Sequence, residues 1–285
     1  MRWTPGGESS NIEDRRGQGG GFMPGGKGVG IGGAVVLLVL SLIFGRDFVT
    51  GGTTTDNTGV PATSSGEVAS TPAEDRLVQF VSFVLDDVQN TWRSILNNRR
   101  VPYEDAKLVL FRDMTQSGCG TAQSTMGPFY CPLDEKVYID LGFYDELQRR
   151  FGAPGDFAEA YVLAHELGHH VQHLLGIDAQ ARRLERENPG TANAVSVRLE
   201  LQADCFAGIW GHSTDQRRLL QQGDIEEGLN AAAAVGDDRI QRATTGRVNA
   251  ETFTHGSAAQ RSAWFKRGLT TGQIEACDTF GDRGP

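Results

Sequence analysis

The chain is poor in cysteine, with four in 285 residues, and no two of them stand at CxxC spacing. That excludes a cysteine-held metal centre of the finger or ribbon kind. It has no cluster of basic residues outside its N-terminal head and a net charge of −9, so it lacks the electrostatic footprint of a nucleic-acid-binding protein. No glycine-rich loop follows a strand and opens a helix, which removes a phosphate cradle; the glycine runs instead precede an apolar stretch. There is no internal repeat.

Long strongly apolar runs without charge are scarce too, with one exception. Residues 28–45, between Lys27 and Arg46, carry no charge and are rich in Val, Leu and Ile. That is the short end of the roughly 17–25 residues that span a bilayer. Arg2, Arg15, Arg16 and Lys27 precede the run, whereas Asp47 and Asp56 follow Arg46, a bias that places the N-terminus in the cytoplasm. An uncleaved anchor is preferred over a signal peptide, because no small-x-small site follows the run and the preceding head is long. The expected organisation is a disordered cytoplasmic head over 1–27, a transmembrane anchor over 28–45, a flexible Gly/Thr/Ser/Pro linker over 46–70, and one domain over 71–285. The domain opens on Thr71-Pro72-Ala73-Glu74, a capping threonine with proline at the first helical position and glutamate three residues after the cap. Leu77, Phe80, Val81, Val84, Val88, Trp92 and Ile95 then recur at helical spacing as a core stripe. Lys107–Phe111 and Lys136–Leu141 alternate as short strands on either side of a glycine-rich loop.

The chemistry is concentrated in His165-Glu166-Leu167-Gly168-His169, inside a proline-free apolar stretch from Phe157 to Leu175 that reads as one helix. Four residues apart on a helix, His165 and His169 share a face and can aim two imidazoles at one tetrahedral zinc ion. Glu166, one residue around, stands beside that ion and can take a proton from water activated there. A buried helix would not carry three ionisable groups in five residues without such a partner. A third ligand is needed, and a metzincin arrangement is excluded because Gln172 and Leu175 stand where Gly and His would be required. Glu200-Leu201-Gln202-Ala203-Asp204, in a second helical stretch from Val195 to Trp210, offers Glu200 as the third ligand. Asp204, one turn on, can hold the other N–H of a ligand histidine.

Arg198 to Trp210, Ala160 to Gln172, Gly127 to Leu141, Phe253 to Arg261 and the opening MRW with Asn11 to Gly17 together resemble the bacterial neutral zinc metallopeptidase family, nearly end to end. The resemblance implies a membrane-anchored, gluzincin-like enzyme with zinc on His165, His169 and Glu200 and a base at Glu166. The implied fold class is α+β and helix-dominated, a zincin-like domain whose small sheet packs on the two zinc helices and whose edge strand lines the cleft. By that resemblance, Val137-Tyr138-Ile139-Asp140 is the expected shelf for an extended substrate.

Other histidines carry less. His173 reads as a core or interfacial residue, His170 as a helix flank without a role, and His212 as a residue near a helix C-terminus. His255 lies in a loop just before a helix that Ser257 can cap, and is read evenly as an oxyanion donor or a structural residue. Of the three possible cysteine pairings, Cys119–Cys131 is favoured by closeness in sequence, leaving Cys205–Cys277, as suits an exported domain. The functional expectation is therefore hydrolysis of a peptide or protein substrate by a single-pass inner-membrane protein with one Zn2+ per chain and a periplasmic or extracellular catalytic domain. Two alternatives stand beside it: a non-catalytic zinc-stabilised assembly module, and a hydrolase of a non-protein amide such as a cell-wall peptide.

Overall fold

The computed structural model describes residues 1–17 and 70–281. Helix α1 (Pro72–Asn97) starts as its capping signal dictates. Thr71 accepts from the Glu74 backbone N–H at 3.3 Å, and the Glu74 side chain accepts in return from the Thr71 N–H at 3.1 Å. Its stripe, from Val81 to Trp92, is buried against the rest of the core.

A four-stranded sheet lies beside it in the order β1 (Ile12–Asp14), β2 (Lys107–Phe111), β6 (Lys136–Asp140), β5 (Phe129–Cys131). The first three are parallel and β5 runs antiparallel to β6. A separate hairpin, β3 (Met114–Ser117) with β4 (Gly120–Gln123), is tied to the sheet by a disulfide from Cys119 to Cys131. The expected shelf is thereby corrected: β6 is an interior strand with both edges paired, and the edge strands are β1 and, next to β6, β5. In sequence β5 is hidden within the glycine-rich loop, because a three-residue strand has too few positions to show alternation.

Helices supply the remaining layers: α2 (Gly142–Arg149), α3 (Asp156–Leu174), α4 (Ile177–Glu187), α5 (Ala192–Gln216), α6 (Asp224–Ala234), α7 (Asp237–Thr245) and α8 (Ala258–Thr271). α3 runs through the centre, touching α1, β5, α4, α5 and α6. α5 and α8 cross at backbone contact. A Cβ on Gly268 would stand 1.9 Å from the Cys205 carbonyl oxygen, and one on Gly208 would stand 2.1 Å from that of Phe265. A second disulfide, Cys205–Cys277, ties the C-terminal segment to α5. Both pairings are as expected from sequence.

The head departs from expectation over residues 1–17, which are folded into the domain rather than disordered. β1 pairs with β2, and Trp3 packs against Phe80 at 5.3 Å and Phe83 at 6.4 Å. Arg16, 9% exposed, is clamped by Asp14. Met1 is buried, its ammonium held by Asp156 and Asp224. Glycine content suggested disorder, but burial of Met1 and Trp3 and the ladder to β2 offset the ordering cost. The proposed anchor over 28–45 and the linker up to residue 69 lie outside the described residues. Among those described, no helix is long and apolar enough to cross a membrane.

Candidate metal centre

α3 carries His165, Glu166 and His169, and α5 carries Glu200 and Asp204. What lets the two helices come close is Gly168, whose missing Cβ would stand 3.0 Å from the Ala203 carbonyl oxygen. The glycine inside the motif is therefore a packing requirement, and it brings the Glu200 carboxylate to both imidazoles. His165 Nε2 lies 3.2 Å from one Glu200 oxygen and His169 Nε2 lies 3.4 Å from the other. The donor atoms of His165, His169 and Glu200 all fall within 4.8 Å of one another.

The Nδ1 atoms face away from this point. His165 Nδ1 is 2.8 Å from an Asp204 carboxylate oxygen. His169 Nδ1 is 2.8 Å from the Gln172 side-chain oxygen. With each Nδ1–H donated, both Nε2 lone pairs are left for a cation. At zinc–ligand lengths of about 2.0–2.2 Å, donors on tetrahedral corners stand about 3.3–3.6 Å apart, close to the two Nε2–oxygen separations. The donor set fits zinc.

The electrostatics call for positive charge at the same place. Burial works against a charged His165, but Asp204 and then Glu200 outweigh it and push its pKa up to about 10. Burial would raise Glu200, yet the imidazoles of His169, His255 and His165 pull it well below the usual carboxylate range. Glu166 is 7% exposed; burial raises its pKa, and the two motif histidines pull against that.

Sequence reasoning missed the groups that hold Asp204. Arg261 on α8, 3% exposed, forks onto it with Nε at 2.8 Å and Nη2 at 2.9 Å. The Tyr161 hydroxyl also donates to Asp204. Both residues sat in the motifs already noted, but no spacing rule connects them to a residue on a different helix. Asp237 was missed as well: one of its oxygens accepts from the backbone N–H groups of Thr254, His255 and Gly256 at 2.7–3.0 Å. This fixes the loop carrying His255, whose Nδ1 stands 3.2 Å from the other Asp237 oxygen. Partial burial opposes charge on His255, but Glu200 and Asp237 raise its pKa, and its side chain is 43% exposed.

His170, expected to be a flank residue, is fully buried and pins the sheet to the helix through Tyr130 at 3.0 Å and the Glu104 carbonyl at 2.7 Å. His173 pairs with Asp178 at 2.8 Å, and His212 with the Leu269 carbonyl at 2.8 Å; neither joins the cluster. A second acidic group, Asp156 with Asp224 and Glu227, surrounds the Met1 ammonium.

A family model described as "Putative neutral zinc metallopeptidase" matches residues 1–280. The chain belongs to this family. The match includes residues 1–17, in keeping with a head that is part of the domain. Among its relatives, the uncharacterized protein YpfJ of Escherichia coli is 47% identical over 289 residues, covering 99% of either chain. The uncharacterized protein Rv2575 of Mycobacterium tuberculosis is 47% identical over 206 residues, covering 68% of each. No solved structure matches the chain.

Proposed function

We infer that this chain hydrolyses peptide bonds with one zinc ion held by His165, His169 and Glu200. The observation that carries the reading is the convergence of two Nε2 atoms and a carboxylate, each imidazole tied off at Nδ1, beside a buried glutamate one residue along the helix. Zinc bound there would supply Lewis acidity and bring a water toward ionisation at neutral pH. Glu166 takes the proton of the attacking water and hands it to the leaving amine. A raised pKa suits that exchange, since the group must both accept and release the proton. Asp204 keeps His165 in the tautomer and orientation that present Nε2. A protonated His255, with Nδ1–H on Asp237, keeps its second N–H for the oxyanion of the tetrahedral intermediate. An extended substrate adds to the edge of β5, the strand that packs against α3.

The two disulfides support an oxidising, extracytoplasmic setting. Attachment to a membrane through 28–45 stays part of the proposal in changed form. Residues 1–17 share a sheet with the domain, and the β1–β2 ladder supports a head on the same side of the membrane as the domain.

The test uses the full chain in detergent or vesicles, with metal analysis and a peptide-library assay on the wild type and Glu166→Gln. The variant should retain zinc and fold while losing about two to four orders of magnitude in rate. Undiminished hydrolysis in Glu166→Gln would refute the assignment of the base. A zinc-bearing wild type that cleaves nothing would point instead to a metal-stabilised assembly module.

A further inference from the structure

The two imidazoles of the centre are held by different chemistry. Asp204, a carboxylate, holds His165, whereas His169 rests on the neutral amide of Gln172. Gln172 is 1% exposed and its amide nitrogen donates twice, to the Leu199 carbonyl at 2.8 Å and to the Gln202 side-chain oxygen at 3.0 Å. Gln202, 5% exposed, donates in turn to the Cys277 carbonyl at 3.0 Å. Cys277 is covalently fixed to α5 through Cys205.

Each link runs in only one sense. If His169 presents Nε2 to a metal, its Nδ1 carries the proton and needs an acceptor, which must be the Gln172 oxygen. The Gln172 nitrogen then faces two acceptors, so the Gln202 oxygen must point toward it and the Gln202 nitrogen toward Cys277. A carbonyl at the far end fixes the whole series. Flipping either amide would set oxygen against oxygen in a buried site, where an unmet polar group costs most.

We propose that Gln172 and Gln202 are positioning residues that couple the Cys205–Cys277 disulfide to the orientation of His169, so that zinc affinity depends on the C-terminal segment being held in place. This rests on the metal reading given above and deepens it. Gln172 acts directly on a ligand; Gln202 and the disulfide act only through Gln172. The effect of Gln202 should therefore vanish when Gln172 is gone.

The experiment measures the zinc dissociation constant of the full chain by competition with a chromogenic chelator, so no activity is needed. The variants are Gln172→Leu, Gln202→Leu, the double variant and Cys205→Ala/Cys277→Ala. Val88→Ala, in the core of α1, serves as a control for general loss of stability. Gln172→Leu should weaken zinc about 10- to 100-fold, the scale of a lost partner to a ligand histidine. Gln202→Leu and the cysteine pair should each weaken it several-fold, the double variant should match Gln172→Leu alone, and Val88→Ala should leave affinity unchanged. Equal, additive losses for Gln172→Leu and Gln202→Leu, or a loss of the same size in Val88→Ala, would overturn the coupling. So would unchanged affinity in Gln172→Leu. Failure of the wild type to bind one zinc would instead overturn the metal reading and this inference together.

Discussion

Replacing Arg261 by Met would strand a buried negative charge. Asp204 is fully buried, and Arg261 supplies two of its hydrogen bonds along with the compensating charge. Methionine fills much of the same volume without either. Removing one partner of such a pair costs about 3–5 kcal/mol, because the remaining carboxylate stays desolvated. Tyr161 and His165 still donate to Asp204, which favours the lower part of that range. Urea unfolding of the oxidised, chelator-treated protein is the assay. With a slope of about 2–3 kcal/mol per molar for a domain of this size, the midpoint should fall by about 1–2 M. Adding Asp204→Asn removes the charge, so the double variant should be more stable than Arg261→Met alone. A shift worth less than about 1 kcal/mol, or a double variant whose loss equals the sum of the two singles, would refute the reasoning that the two groups form one unit.

Glu159, half-buried on α3, has its pKa pushed up to about 7, first by burial and then by Asp156, Asp145 and Glu227. For an acid raised in the fold, the unfolded chain ionises first, so stability falls as pH rises from about 4.5 to 7 and stays lower above. Glu159→Gln should therefore raise the melting temperature at pH 8, by an amount equivalent to about 1–3 kcal/mol, and change little at pH 4; equal effects at both pH values would contradict the assignment. Gly168→Val would drive its side chain into the backbone at Ala203, moving α3 off α5. It should lose at least tenfold in zinc affinity and about 1–3 kcal/mol in stability, and a variant with wild-type affinity by chelator competition would show that the close approach is not needed.

The parts of the site that were legible in the sequence are those governed by local rules. The capping box at Thr71, the four-residue spacings of His165 with His169 and of Glu200 with Asp204, and the cap at Ser257 depend on neighbours within one helical turn. What was not legible depends on the assembly of distant segments. Whether β6 lies at an edge is decided by β5 and β2, not by its own residues. His170 looks like a spare histidine beside the motif until Tyr130 and Glu104 close over it. Arg261, Tyr161, Gln172 and Asp237 work by orienting other groups, and their types are too common for spacing alone to mark them. The head misled because glycine content is a poor guide where a few large side chains have a waiting surface: Met1 and Trp3 find theirs on residues far along the chain.

That docking changes what kind of object the domain is. The head, described up to residue 17, is docked on the body described from residue 70 onward, so it behaves as a peptide ligand that the protein carries for its own sheet edge. A single cut between those points would not release it, since the two pieces remain joined through the β1–β2 ladder, the Trp3 contacts and the Met1 ammonium. Conversely, a fragment that begins at Thr71 leaves the edge of β2 open and the apolar surface of Phe80 and Phe83 uncovered. Such a fragment invites strand addition from its neighbours in solution, and supplying residues 1–17 as a separate peptide is the direct way to close it.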